Sequence, residues 1–269
     1  MTVVATFITR TCTVQASDSL LTAIKPDGAT EHVEWENTKI VPVAYFRGSI
    51  AYYGFAGWVK GWTLLDWLRT EVQKAKRHPS AQAFGEHLAG ALQSELMRLK
   101  VSGTAGVGLH FSAYERMNDY SIPELFHISN WLETSYVGLR PDGVGCTRES
   151  WGVITGNGSS LDHGTAEHRM RVHEHLQGGK WLRFNNGDPA LFNTVANALQ
   201  DAVSLLRDRG RLRNLGVPEH IALTQRFVEL VAEIQRDVGR AEDRRVGGRI
   251  HNLAITPDGR YSSTSGDEP

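Results

Sequence analysis

Apolar and polar residues follow two different periods along this chain, and the change of period marks its elements. Residues 2–8 (TVVATFI) and 11–16 (TCTVQA) are rich in Val, Thr and Ile, which suit a pleated surface, and read as two strands. A second strand pair follows at 39–45 and 49–53, with Arg47-Gly48 as its turn. A polar loop over 25–36 separates the two hairpins. Within 62–74, Leu64, Leu65, Leu68 and Val72 recur at helical spacing. A second helix over 81–99 places Phe84, Leu88, Leu92 and Leu99 on one face, with Ser80 available as N-cap.

Strand character returns at 107–113 (VGLHFSA) and 124–128 (ELFHI). The stretch 131–180 is rich in Gly, His and Ser. It carries turn signals at Pro141-Asp142-Gly143 and Gly156-Asn157-Gly158, so it reads as an elaborated loop or insertion. After a short strand at 180–184, Pro189 opens a helix reaching about Arg207, a first-turn position where proline is tolerated. Pro218 opens an amphipathic helix through Val238, carrying Ile221, Phe227, Val228, Val231 and Ile234. A strand at 249–256, a Pro257-Asp258-Gly259 turn and a polar tail from Ser262, expected to be disordered, close the chain.

Strands thus alternate with pairs of helices, which points to layered α+β packing rather than a doubly wound βαβ sheet. Two antiparallel sheets packed face to face between two helix pairs, a four-layer αββα sandwich, would bury every apolar helix face. With no internal repeat or clean linker, 1–261 reads as one domain carrying the insertion at about 131–180, with 262–269 as the tail.

Composition narrows the partners. An apolar share of 41% and a charged share of 22% over 269 residues suit a soluble protein with a sizeable core. The net charge of −1 gives no global field favouring nucleic acid or anionic lipid. Two cysteines, Cys12 and Cys146, argue against a disulfide framework and fit a reducing compartment. No basic segment followed by an apolar one opens the chain, and no apolar run approaches the roughly 18 residues needed to span a bilayer. The expected location is cytoplasmic, without membrane contact.

The chemistry most open to the chain lies at its start. Thr2 stands directly behind Met1. Once Met1 is removed, Thr2 carries both a hydroxyl nucleophile and a free α-amine, ordinarily of pKa about 7.7–8.0. That amine can serve as general base on its own residue's hydroxyl. Other candidates fit less well. Cys12 sits mid-strand among threonines with no evident base, and reads as a buried structural thiol. His163, His168, His173 and His175 match no standard zinc spacing. The GNGSS segment at 156–160 is not a GxSxG nucleophile elbow, and neither a Walker loop nor GxGxxG occurs. The seven tryptophans have no basic patch beside them and read as packing or interface residues.

Taken in order, several short motifs resemble the proteasome family of N-terminal-nucleophile hydrolases, nearest to β-subunits and bacterial proteasome-like protease subunits. From Thr2 the chain runs without a gap to ASD ending at Asp18, then into DSLLT with Thr22 in register. NTKIVPV places Lys39 where the family has its catalytic lysine, after a loop several residues longer. GFAG at 54–57 matches the turn whose first glycine amide points at the scissile carbonyl. DRRVGG at 243–248, followed by RIHNLAITPDG, resembles the family's acidic residue, paired glycines and final strand. Two positions depart from the pattern. Asn186, in the turn read over 185–189, stands where the family usually has a serine, and Val246 where many β-subunits have a second.

The resemblance implies an N-terminal-threonine hydrolase of peptide bonds, working in a ring-shaped homo-oligomer on peptide or unfolded-protein substrate. It needs no metal or organic cofactor, and an ATP-dependent unfoldase is a candidate partner. Thr2 would attack, and Lys39 would favour the alkoxide-like transition state while depressing the amine's pKa. Asp18 would orient Lys39, the Gly54 amide would donate to the oxyanion, and Asp243 would hydrogen-bond near the amine. Asn186 would take over part of the serine's role. Alone, each has an ordinary reading. Asp18 ends a strand, Lys39 is a solvated edge lysine, and Gly54 serves chain geometry. Two further functions stay open: a catalytically silent proteasome-fold assembly subunit, favoured by Asn186 and Val246, and a narrow small-molecule amidase screened by the 131–180 insertion.

Overall fold

A computed structural model describes residues 3–24, 30–34, 38–59, 61–101, 106–117, 120–131, 143–148, 165–186, 189–210, 215–238 and 248–263. They form an α+β fold with two five-stranded antiparallel sheets, two short hairpins and five helices. The first sheet is built on the opening hairpin, β1 (Val4–Ile8) and β2 (Thr13–Asp18), paired Val4 to Ser17 through Ile8 to Thr13. β12 (Leu182–Asn186) flanks β1, while β13 (Ile250–Ile255) and β14 (Tyr261–Ser263) extend the sheet beyond β2. The second sheet runs, edge to edge, β11 (Gly145–Arg148), β10 (Tyr120–Ser129), β9 (Val107–Met117), β6 (Gly48–Gly54) and β5 (Ile40–Val43).

Alternation along each strand decides what it buries. Val3, just ahead of β1, and Ala5 and Phe7 within it face α4 (Pro189–Asp208) and α5 (Val217–Val238), meeting Phe192, Val195, Phe227 and Val231. The intervening Val4 faces the second sheet, where it packs with Ile40, Ala51, Tyr53 and Tyr114. On the far side of the second sheet, Ile50, Tyr52, Leu109 and Phe111 bury against α1 (Leu64–Val72) and α2 (Ala81–Arg98). Both of these helices begin at a side-chain cap. Thr63 accepts the Asp66 N–H and Ser80 the Ala83 N–H, each at 3.1 Å.

The structure alters four expectations. The polar loop 25–36 contains β4 (Thr30–Glu34), which pairs with β3 (Leu20–Ile24), so Thr22 lies in a separate hairpin opposite His32. β4 (TEHVE) carries a single apolar residue, Val33, and so leaves no alternation to read. Trp62 and Thr63 form β8 with β7 (Gly57–Val59), and the helix starts only at Leu64, where Thr63 can cap it. The stretch 131–180 is not all irregular. β11 edges the second sheet, and α3 (Ala166–Gln177) buries only Val172 and Leu176 of its apolar residues, too sparse a stripe to stand out. α3 sets those two against Ile8 and Leu182 of one sheet and Ile122 of the other. Finally, Ser262 and Ser263 belong to β14, paired with Ala254 and Leu253, so the expected tail starts two residues too early. Residues 264–269 lie outside the described residues. No described helix is long and apolar enough to cross a membrane.

The packing of α2 makes a measurable prediction. Leu88 is fully buried, whereas Met97 on the same helix is 56% exposed. Leu88→Ala should cost about 2–5 kcal/mol through lost burial and a residual cavity, and Met97→Ala no more than about 0.5 kcal/mol. Urea unfolding of the two variants measures the contrast; equal midpoints would contradict this placement of the helix.

Candidate functional site

The open end of the opening hairpin gathers the polar groups. Past the Val4–Ser17 pair the hairpin continues for one more step, where the Asp18 N–H donates to the Val3 carbonyl at 3.3 Å. The Asp18 carboxylate turns back on the same strand, and its Oδ1 accepts the Val3 N–H at 3.0 Å. Lys39 reaches that same oxygen with Nζ at 3.3 Å. Because Lys39 immediately precedes β5, this ion pair runs from one sheet to the other. Asp18 is completely buried and Lys39 is 1% exposed, so Lys39 is not the solvated edge lysine of its ordinary reading, while Asp18 does end its strand. Burial pushes the Lys39 ammonium below its usual pKa, while the charge of Asp18 and their hydrogen bond pull it back up.

Asn186 meets β1 from its other flank. It is the last residue of β12, directly opposite Val4, and its Oδ1 accepts the Val4 N–H at 2.6 Å. The turn expected over 185–189 therefore begins later. Asn185 and Asn186 are strand residues paired with Ala5 and Val4, because an asparagine at a strand end can serve the ladder through its side chain.

Gly54 ends β6 opposite Val107, two residues beyond Tyr52, whose N–H donates to the Lys39 carbonyl at 3.1 Å. Its φ is +82°, and a Cβ there would lie 2.3 Å from the Gly106 carbonyl oxygen, so only glycine fits. The Phe55 N–H, next along, donates to that carbonyl at 2.8 Å and fixes the turn. The structure thus places Asp18, Lys39 and Asn186 around Val3 and Val4, with Gly54 at the neighbouring strand end. Thr2, Asp243 and Val246 lie outside the described residues.

The remaining candidates are placed elsewhere. Cys12 is buried, with Thr9 and Thr11 hydroxyls 3.8 Å from its sulfur, and burial pushes its thiol pKa up. His168, His173 and His175 lie on α3, with His173 against the Tyr120 ring and His175 toward the Trp181 carbonyl; His163 is outside the described residues. Among the described residues no cluster of three His, Cys, Asp or Glu side chains could hold a metal ion.

Sequence reasoning passed over a polar seam between the sheets. Gln15 donates from Nε2 to Thr6 Oγ1 at 3.3 Å and to the His110 carbonyl at 2.9 Å, and accepts the Ser49 hydroxyl at 2.7 Å. Thr13 donates to Tyr114 Oη at 3.0 Å. Ser17 and His251, paired across β2 and β13, lie on the same sheet face as Val4. The signal was present. Thr6, Gln15 and Ser17 are polar residues at alternate, inward positions of strands that are otherwise buried on both faces.

No protein-family model matches the chain, and no curated relative matches it. Among solved structures it is similar to one described as the helical assembly of the Anbu complex from Pseudomonas aeruginosa. That chain is 11% identical, and the match covers 99% of this chain and 88% of that one with a TM-score of 0.49.

Removing one half of the Asp18–Lys39 pair takes an opposite charge from the other in a buried site. Asp18→Ala should destabilise the protein by about 3–5 kcal/mol, and adding Lys39→Met should restore a large part of that loss. Denaturant titration of the single and double variants reads the coupling. Additive losses would show that the two groups do not depend on each other.

Proposed function

We propose that the protein is an N-terminal-threonine hydrolase of peptide or other amide bonds, with a proteasome-like architecture. In this reading the two sheets lie face to face between α1–α2 and α4–α5 as a four-layer αββα sandwich, and residues 1–261 form one domain. The observation that carries the reading is the shared oxygen of Asp18. It binds the N–H of Val3, the nitrogen joined to the Thr2 carbonyl carbon, and the ammonium of Lys39. A nucleophilic threonine at position 2 is joined by one peptide bond to Val3, whose N–H shares an oxygen with the Lys39 ammonium.

The chemistry follows from removal of Met1. The Thr2 hydroxyl adds to the amide carbonyl and passes its proton to the α-amine, directly or through water. The Lys39 charge stabilises the oxygen as it becomes alkoxide-like, and the Gly54 amide donates to the oxyanion. The amine's proton moves to the leaving nitrogen as the C–N bond breaks, leaving an acyl ester on Thr2. Water, deprotonated by the same amine, hydrolyses that ester and restores the site. Asn186 holds β1 in place in this scheme, and Asp243 is assigned to the amine. A homo-oligomeric ring, peptide or unfolded-protein substrate supplied with or without an unfoldase, and a cytoplasmic setting complete the proposal.

A second reading has one specific observation in its favour. Asn186 Oδ1, at the position assigned to a supporting serine, is already engaged by the Val4 N–H. A silent assembly subunit would need that contact only to hold its sheet together.

Intact mass separates the readings first, because a chain that keeps Met1 has no free threonine amine. In the processed protein a β-lactone or peptide epoxyketone should add once per chain. Thr2→Ala should abolish the adduct, and Lys39→Ala should slow it by on the order of 10²-fold. Processed protein that forms no adduct under forcing conditions would leave the silent-subunit reading standing.

A further inference from the structure

Strand β1 and Val3 just ahead of it are held at three points by side chains outside the ladder. Asp18 takes the Val3 N–H, Asn186 takes the Val4 N–H, and the third point is Thr6, whose Oγ1 lies 3.4 Å from His110 Nδ1 in the opposite sheet. The third contact differs from the others because its partner can titrate. Thr6 Oγ1 already receives a proton from Gln15 Nε2. Its own hydroxyl proton is therefore best placed on Nδ1 of a neutral imidazole, with the ring's remaining hydrogen on Nε2.

His110 is fully buried, and its Nε2 has no hydrogen-bond partner among the described residues. Among the described residues the groups around His110 come from five strands, and none carries a carboxylate. β1 supplies Thr6, β2 supplies Gln15 and β12 supplies Phe184, whose ring centroid is 4.6 Å away. β6 supplies Tyr53 at 5.5 Å, and β10 supplies His127 at 5.8 Å, directly opposite in the ladder. His127 Nε2 is itself bonded to Tyr53 Oη at 2.5 Å, a contact seated over Gly108, where any Cβ would strike the Tyr53 ring. A second proton on His110 would put a charge between the sheets beside another imidazole, with no anion among the described residues to meet it. It would also turn Nδ1 from acceptor to donor and leave the Thr6 hydroxyl proton without its partner.

We infer that His110 is an acid-operated latch on β1, closed while the ring is neutral and released on protonation, so that acid loosens the strand leading to the proposed nucleophile. The consequence for catalysis rests on the proposed function; the latch itself does not. Burial and the neighbouring His127 hold the imidazole well below its ordinary range. The sign follows directly. The unfolded or loosened chain takes up the proton near pH 6.5, before the closed one does, so the latch's contribution is complete above about pH 6.5 and declines as pH falls.

Hydrogen–deuterium exchange on the intact chain tests this without any need for activity. After correction for the intrinsic pH dependence of exchange, amides of β1 should lose up to about tenfold in protection per pH unit below 6.5. Those of α2 should lose much less. In His110→Gln, whose amide can still bond Thr6, the acid-induced loss in β1 should shrink to less than about twofold per unit. Flat protection in the wild type, equal loosening of every element, or the same acid response in His110→Gln would each overturn the latch. Should that variant not fold, the wild-type His110 ring signals serve in its place. Co-titration with the β1 amides supports the inference, and titration near 6.5 with β1 unchanged refutes it. Failure of the threonine to react with a probe would sink the proposed function and leave these readouts intact.

Discussion

A carboxylate with no exposure to water stays charged only if protein groups replace its hydration, and much at this end of the molecule answers that requirement at Asp18. The Val3 N–H and the Lys39 ammonium both converge on one oxygen. Each comes from a different part of the fold, so the sheets must meet in one register for the oxygen to be satisfied. Desolvation of two charges makes such a pair a poor source of net stability. Its effect is rather to penalise every arrangement that leaves one charge alone. The pair therefore specifies where β1 and β5 lie relative to each other more than it strengthens the fold.

The same logic extends along the seam. Apolar contacts between sheets tolerate sliding, since one methyl contact resembles another. Gln15 does not tolerate it, because it must find a hydroxyl on its own sheet, a carbonyl on the other and the Ser49 hydroxyl at once. A shift of one residue along β2 would turn Gln15 toward the helices and strand every one of these partners. The helices can then be held by ordinary apolar packing, as Phe227 and Val231 are against β1, because register has already been settled between the sheets.

Long periodic segments were legible in the sequence, and so was much of the opening hairpin. Ser80 and Thr63 lie where helix caps belong, though only the first stood out, because Trp62 ahead of Thr63 extended the apolar pattern past the true start. α3 escaped notice because two buried apolar residues in twelve do not make a stripe. Lys39 and Asp18 were legible as candidates only through family resemblance. Neither residue type predicts its own burial, and the partner that makes burial tolerable is 21 positions away. Asn186 was read as turn because asparagine so often is one; its place in β12 depends on pairing with Val4, 182 positions distant.

Holding β1 by side chains rather than by the ladder alone has a chemical use. Ladder hydrogen bonds position a backbone, but they are much the same at every residue and cannot be adjusted singly. Asp18, Asn186 and His110 each grip a different residue of β1 or its approach, Val3, Val4 and Thr6, and each through a group with its own acid–base character. The carboxylate is tied to a cation, the amide is indifferent to pH, and the imidazole is neutral only while the seam stays free of a second proton. A strand anchored in this way can be rigid near Val3 and Val4 and conditionally held at Thr6. Under the proposed function, that gradient would suit a nucleophile at Thr2, held close by the rigid part while the strand behind it remains open to control.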